Sequence, residues 1–504
     1  MKIISFCNKT IEYSFYLMFF FVPLFFLGNT SELFEFNKMW LVFILTIFIG
    51  AAWVSKMIIE KKFVVRKTPL DIPIILFLIS QIISTIFSLD THVSFWGYYS
   101  RFNGGLLSII SYIFLYYAFV TNLEVKHALR VLIVSIASGI ATVIWGFPSH
   151  FGFDLTCWVF RGVPDTNCWT DAFKPTIRAF STLGQPAWFA AYLDVLIPLL
   201  MSYVLINIKQ NKIKSFISLF LVMLFFYSCL IFANTRAAYV AFYIVDILFW
   251  AVLLFRKFFK FKTLLKYFLV IHIGFAICSF FFGAPIGALD KFTFPQLAKQ
   301  FTVHAATVSP QPAKPTTIKL TGITDSAQIR LIVWKGAIQA WLASPIFGTG
   351  VETFAFAYYA HRPAEHNMTS EWDYLYNKAH NEYLNYLTTT GIFGLGTYLA
   401  IIVIFLFFTV KFIFSGKESY QQFLLILALL SGYITILITN FFGFSVVIIN
   451  LYFFLIPALV FLIADKLNDD KNYSYPANQT IKRLHLNINL YQWVLIIITL
   501  IIGG

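Results

Sequence analysis

The sequence predicts an all-α, polytopic membrane protein: a helical bundle of about twelve transmembrane helices, with a partial thirteenth, and a large, partly helical external loop. Three observations carry this. Of 504 residues, 59% are hydrophobic and 12% charged, and the mean hydropathy is +0.77. Soluble domains are about a quarter charged, so this chain lacks the polar surface that water requires, and its solvent is lipid. Its apolar residues fall in runs of roughly 17–25, the length at which a helix crosses the hydrocarbon layer. Its basic residues form short clusters between those runs. The net charge of +14 therefore belongs against anionic lipid headgroups, and no nucleic-acid partner is expected.

The runs, in order, are 11–28, 39–55, 70–87, 105–121, 130–147, 185–206, 214–232, 237–255, 264–283, 391–414, 420–440 and 446–464. A further apolar stretch begins at Leu490 and reaches the end of the sequence. The first run lacks a small-residue cleavage site and is expected to be retained as a span. Lys2 and Lys9, the cluster at 56–67, Lys126 and Arg130, Lys209 to Lys214, the cluster at 256–266, Lys411 and Lys417, and the 466–483 group all fall on one side. The short loops are asymmetric, so the N-terminus is placed in the cytoplasm. The loops at 148–184 and 284–390 are placed outside the cytoplasmic (inner) membrane. Three parts result: an N-terminal membrane bundle (1–283), the external loop (284–390), and C-terminal transmembrane helices with a cytoplasmic segment (391–504).

The long loop is where chemistry is sought. Its first part, 285–317, contains the Pro-rich string SPQPAKPTT and reads as extended. Ser326 to Ala343 has apolar residues at helical spacing and reads as an amphipathic helix at the membrane surface. SPIFGTGVETF marks a tight turn through Pro345, Gly348 and Gly350. A second helical piece is expected over Trp372 to Thr389, followed by a membrane helix starting near Gly391, where Gly394 and Gly396 allow close helix contact.

Among five cysteines, Cys7, Cys229 and Cys278 fall in or beside spans and read as small buried residues. Cys157 and Cys168 share an external loop, where a disulfide is chemically allowed. No CxxC or HExxH string points to a metal, and no metal or cofactor is expected.

His380 is the leading candidate base, because an imidazole exchanges a proton near neutral pH and this one sits where polar loop meets apolar helix. His361 and His366 share the loop, at spacings that match no regular metal site. Asn381, Glu352 and Glu382 are candidate supporting groups. Arg236, Arg330 and Arg178 each have two readings. One is a snorkelling or exposed basic side chain; the other is a guanidinium that forks onto phosphate oxygens. Asp194, Asp246 and His272 lie inside spans, where ionisable groups face the protein interior. Asp246 and His272 fall at similar depth on neighbouring antiparallel helices and are expected to pair.

Five segments in order resemble the bacterial O-antigen ligase-related family of polytopic glycosyltransferases. They are SLDTHVSFWGYYSRFNGGLLSIISYIFLYY, RAFSTLGQPAWFAAYLDVLIPL, NTRAAYVAF, RLIVWKGAIQAWLASPIFGTGVETF and AHNEYLNYLTTTGIFGLGTYL. The resemblance implies transfer of a glycan from an undecaprenyl-diphosphate-linked donor to an acceptor hydroxyl on a lipid core, glycan or protein, with no nucleotide sugar, metal or cofactor. It implies diphosphate binding by Arg236 and Arg330 and a base role for His380. Departures are an alanine after Arg236, where glycine is more usual, the Pro-rich insert and the incomplete thirteenth span. A surface-polysaccharide polymerase using the same residues is the nearest alternative. A transporter is the more remote one, for which no internal repeat is found.

Overall fold

The computed structural model describes residues 2–299, 326–416 and 418–465. The run from Leu490, the 466–483 basic group, Lys417 and most of the Pro-rich stretch lie outside the described residues.

The chain forms helices α1 (Lys2–Phe21), α2 (Glu35–Glu60), α3 (Asp71–Ile86), α4 (Thr91–Trp96), α5 (Leu106–Asn122) and α6 (Val125–His150). Next come α7 (Leu155–Arg161), α8 (Pro186–Lys209), α9 (Ile213–Phe232), α10 (Arg236–Arg256), α11 (Phe261–Phe282) and the single turn α12 (Gly287–Asp290). The series ends with α13 (Ser326–Ala343), α14 (Phe354–His361), α15 (Glu382–Ile413), α16 (Tyr420–Phe441) and α17 (Val447–Asp465).

Nine of the described helices are long and apolar enough to cross a membrane: α2, α6, α8 to α11 and α15 to α17. The protein is therefore multi-pass, but the expected count of twelve is not reached by this measure. Helices α3 and α5 have 16 and 17 residues. At 1.5 Å per residue they rise about 24–26 Å, short of a hydrocarbon layer about 30 Å thick. Helix α1 begins in polar sequence at Lys2 and stops at Phe21. The apolar residues that follow turn at Pro23 instead of extending the helix.

Helix α8 is the axis of the bundle. Pro186 opens it at a position that needs no N–H donor, and 94% of its apolar window is buried, against 28% for α11 at the periphery. It packs on α9 and α16. Asp194 lies on α8, fully buried, and neither carboxylate oxygen has a hydrogen-bond partner among the described residues. In neighbouring α10 and α11, His272 Nε2 lies 2.7 Å from Asp246 Oδ2, Trp250 Nε1 donates to Asp246 Oδ1 at 3.0 Å, and His272 Nδ1 faces the Phe268 carbonyl at 2.9 Å. Cys157 and Cys168 are joined by a disulfide, while Cys7, Cys229 and Cys278 are free and buried.

The helix expected to start near Gly391 starts instead at Glu382 and is broken at Gly391 (φ 67°, ψ −170°). The break removes intrahelical hydrogen bonds, and in a low-dielectric bundle the released groups need new partners. The turn at 345–350 supplies them. Thr349 N donates to Thr388 O (3.1 Å) and Gly350 N to Thr389 O (2.9 Å), while Ile392 N donates to Pro345 O (2.9 Å) and Phe393 N to Ile346 O (3.2 Å). Ser84 of α3 adds a bond to Thr389 O at 2.9 Å.

The approach is close enough that a Cβ on Gly391 would stand 2.2 Å from Ile346 O, and one on Gly348 (φ 73°) 2.3 Å from Thr389 C. Gly394 lies against Thr390 and Gln81, but Gly396 has nothing within 4 Å, so the expected helix contact there is absent. Trp372 to Ala379, expected to be helical, is irregular.

Gly391→Ala and Gly348→Ala should each destabilise the protein, since both demand left-handed backbone and a displaced neighbour. The strain alone is worth about 1–3 kcal/mol. Thermal melting in detergent, compared with Gly396→Ala as a neutral control, reads this out; equal melting of all three would refute the interlock.

Candidate functional site

The turn at 345–350 fixes one wall of a site at the loop-bearing end of the bundle. Leu89 N donates to Thr349 O (2.9 Å) and Ser94 Oγ to Val351 O (2.7 Å), so α4 clasps the same turn. Glu352 follows in left-handed backbone (φ 60°) and pairs with buried Lys378. Gly104 makes room for that pair, since a Cβ there would meet Glu352 Oε1 at 2.3 Å.

Two residues beyond Lys378 stands His380, also left-handed (φ 52°) and half-buried. Strained non-glycine backbone of this kind persists only where surroundings impose it. Here the imposition is local: Asn381 caps α15 by accepting from Leu384 N at 3.0 Å, and Ala379 N reaches Asn385 Oδ1 at 3.4 Å. Asn381 thus shapes the helix entry.

The His380 ring stands edge-on between Tyr376 and Phe444, each at 5.5 Å between centroids. Neither carboxylate proposed to orient it does so. Glu352 binds Lys378, and Glu382 Oε2 has no hydrogen-bond partner among the described residues. His380 makes no hydrogen bond among the described residues, which leaves its ring nitrogens available. Its pKa is lowered to about 4, first by burial, then by the charges of Arg330 and Arg101. It is therefore neutral across the physiological range.

Arg330 sits half-buried on α13, whose face of Ile329, Val333 and Ala337 packs into a small core with Phe354 and Tyr358. Its charge acts on His380, Tyr376 and Arg178. Arg178 Nη2 donates to Thr235 Oγ1 at 3.3 Å, beside the first residue of α10, Arg236. Arg178 is held below its usual proton affinity by desolvation and then by Arg330. Like charges brought together this way form an anion-attracting rim. Arg236 is exposed and makes no ion pair among the described residues. His361 and His366 are engaged elsewhere. His361 Nδ1 meets Ala357 O at 3.0 Å, and His366 lies buried between Tyr358 Oη (2.5 Å) and Glu371 O (3.1 Å).

Sequence reasoning missed two participants. Lys378, two residues from His380, gave no signal beyond proximity. Arg101 lies in the quoted string YYSRFNGG, and its flanking aromatics were the available clue. Its guanidinium stands over Trp188 (5.1 Å) and Phe444 (5.3 Å).

The Glu352–Lys378 pair borders a polar cavity of about 20 Å³, lined also by Gln81, Glu382 and Asn385 and large enough for a water-sized guest. Among the described residues no group of three His, Cys, Asp or Glu side chains is placed to hold a metal ion.

Composition and fold together define a multi-pass membrane protein with a cationic rim beside a neutral imidazole. Residues 219–399 match the family model described as O-antigen ligase. The match over this segment supports an O-antigen ligase-related family and a membrane enzyme of the ligase or polymerase type. Arg236, Arg330, Glu352 and His380 fall inside the matched segment, and Arg101 and Arg178 outside it. No curated protein matches the chain.

Lys378→Met should destabilise the protein by about 3–5 kcal/mol, because it strands the Glu352 charge in a buried place. Adding Glu352→Gln should recover much of that loss. A double-mutant cycle on melting temperature measures the coupling, and strictly additive effects would dissolve the pair's role.

Proposed function

We propose that the protein transfers a glycan from an undecaprenyl-diphosphate-linked donor to an acceptor hydroxyl on the external side of the cytoplasmic membrane. The observation that carries this reading is a neutral His380, without a hydrogen bond among the described residues, within electrostatic reach of Arg330 and Arg101, with Arg178 and Arg236 on the adjoining rim. The reaction breaks the bond from the glycan's anomeric carbon to the diphosphate oxygen. It forms a bond from that carbon to the acceptor oxygen, whose proton passes to His380. The leaving diphosphate gains negative charge as the bond breaks. Fixed guanidinium groups stabilise it more in the transition state than before, which is the condition for catalysis. Attack opposite the diphosphate inverts the anomeric centre.

His380→Ala should lower transfer by about 10²–10⁴-fold, the usual worth of a general base, with donor binding retained. Arg236→Lys keeps the charge and loses the fork, and should lose activity with it. Near-normal transfer by folded variants would end these assignments. Glycan lengthened on the lipid carrier would mark a polymerase; glycan moved to a lipid core or protein would mark a ligase. Uptake into vesicles without transfer would mark a transporter.

The pH profile follows from His380. With its pKa depressed to about 4, the base is neutral above that pH and protonated below it. The acid limb of kcat/KM should therefore lie near 4, not near the ordinary histidine value of about 6.5. Diphosphate bound at the guanidinium groups offsets part of their charge, so the limb of kcat, which reports the loaded enzyme, should lie higher. Coincident limbs would contradict a base placed among diphosphate-binding cations.

A further inference from the structure

Arg101 has buried donors that go unused: its Nε and Nη1 are shielded from solvent and have no hydrogen-bond partner among the described residues. Its side chain is held firmly. The following Phe102 adopts left-handed backbone (φ 52°), and Asn103 accepts from Tyr112 Oη (2.9 Å) and from Asn450 Nδ2 (3.2 Å), which ties the segment to α5 and α17. The guanidinium lies over Trp188 and Phe444, and the same Phe444 ring meets the His380 ring edge-on.

Aromatic faces balance charge but accept no forked hydrogen bond. Glu35, buried at the start of α2, is within electrostatic reach of Arg101; its Oε2 accepts from Val447 N, its Oε1 has no hydrogen-bond partner among the described residues, and the two side chains form no ion pair. A buried guanidinium with unmet N–H groups is costly, and an oxyanion accepting two parallel bonds is its natural complement.

We infer that Arg101 is a further oxyanion-binding residue of the site, stacked on the same Phe444 ring that meets His380. Its ligand is a phosphate group. This rests on the proposed transfer reading where the phosphate belongs to the lipid-linked donor; a phospholipid headgroup offers the same chemistry without it. Arg330 on α13 and Arg101 on the segment after α4 both act on the charge of His380, so a phosphate held by Arg101 shares the cationic surroundings of the imidazole.

The test uses the full-length protein in nanodiscs of zwitterionic lipid, comparing wild type with Arg101→Gln and Arg101→Lys. Undecaprenyl diphosphate is one titrant, and phosphatidylglycerol added to the discs is the other. Arg101→Gln should weaken undecaprenyl diphosphate binding about tenfold while melting within a few degrees of wild type. Arg101→Lys, which keeps charge and stacking but not the fork, should lie between.

Loss of phosphatidylglycerol-dependent stabilisation in Arg101→Gln, with diphosphate binding intact, would support the inference with the headgroup as source. Unchanged response to both titrants would overturn it, as would binding lost only in proportion to folded protein. If Arg101→Gln does not fold, Arg101→Lys decides: weaker binding supports the inference, and wild-type binding overturns it. Wild-type protein that binds no undecaprenyl diphosphate counts against the proposed function, and the phosphatidylglycerol arm still decides the role of Arg101.

Discussion

The exchange of hydrogen bonds across the Gly391 break is the constraint on which the site depends. A helix inside a membrane can be interrupted only where other groups take over its orphaned carbonyls and N–H groups. Here the turn at 345–350 does so from one side and Ser84 from the other. The extramembrane loop is thereby built into the bundle. It carries Glu352 on its far side, while the short helical piece before the break carries His380 and Lys378 at its entrance. The loop and the helix entrance are joined by the Glu352–Lys378 pair. Loosening the break would move the base, its neighbours and the cationic rim relative to one another.

The aromatic residues have a second task beyond facing lipid. Phe444 contacts His380, Arg101, Lys378 and Trp188. A ring at that position offers its faces to cations and its surroundings keep water out, so the imidazole is desolvated and remains neutral. The same cations depress its proton affinity further. Positive charge that would attract a diphosphate thus also keeps the base free of a proton before the donor arrives. The electrostatics of binding and of proton transfer are one arrangement.

Much of the fold was legible in the sequence because lipid imposes a simple rule: apolar runs of sufficient length become helices. The nine long helices follow from it. The correspondence is looser where the apolar run and the helix differ: at 22–28 the run continues past Pro23 into a turn, and α3 and α5 follow their runs as helices of only 16 and 17 residues. The helix start near Gly391 follows from the change there from polar to apolar sequence; that Gly391 is a mid-helix break depends on Pro345, Ile346 and Thr349, more than forty residues upstream. For the site, Asp246 and His272 were found by depth alone, since neighbouring antiparallel helices fix that relation. Glu352 was a candidate supporting carboxylate for His380, and its pairing with Lys378 rests on tertiary packing that no spacing encodes. Gly396 looked like a packing glycine and meets nothing.

Arg101 shows why local reading had to stop where it did. In sequence it is one basic residue among aromatics at the end of a short helix, indistinguishable from a snorkelling anchor. What separates it is that its Nε and Nη1 lie buried with no hydrogen-bond partner among the described residues, a property of the packed segments together. The family match covers 219–399, yet the charges felt by His380 and Arg330 include Arg101 and Arg178 from before that segment. The matched stretch alone cannot assemble the cationic surroundings of its own imidazole. The N-terminal bundle is therefore more than an anchor: α4, the 101–104 segment and the 178–181 strand of loop supply half of the site's charge and the clasp on its turn. Substitutions there should be read as changes to the site itself, even where the bilayer-spanning helices are untouched.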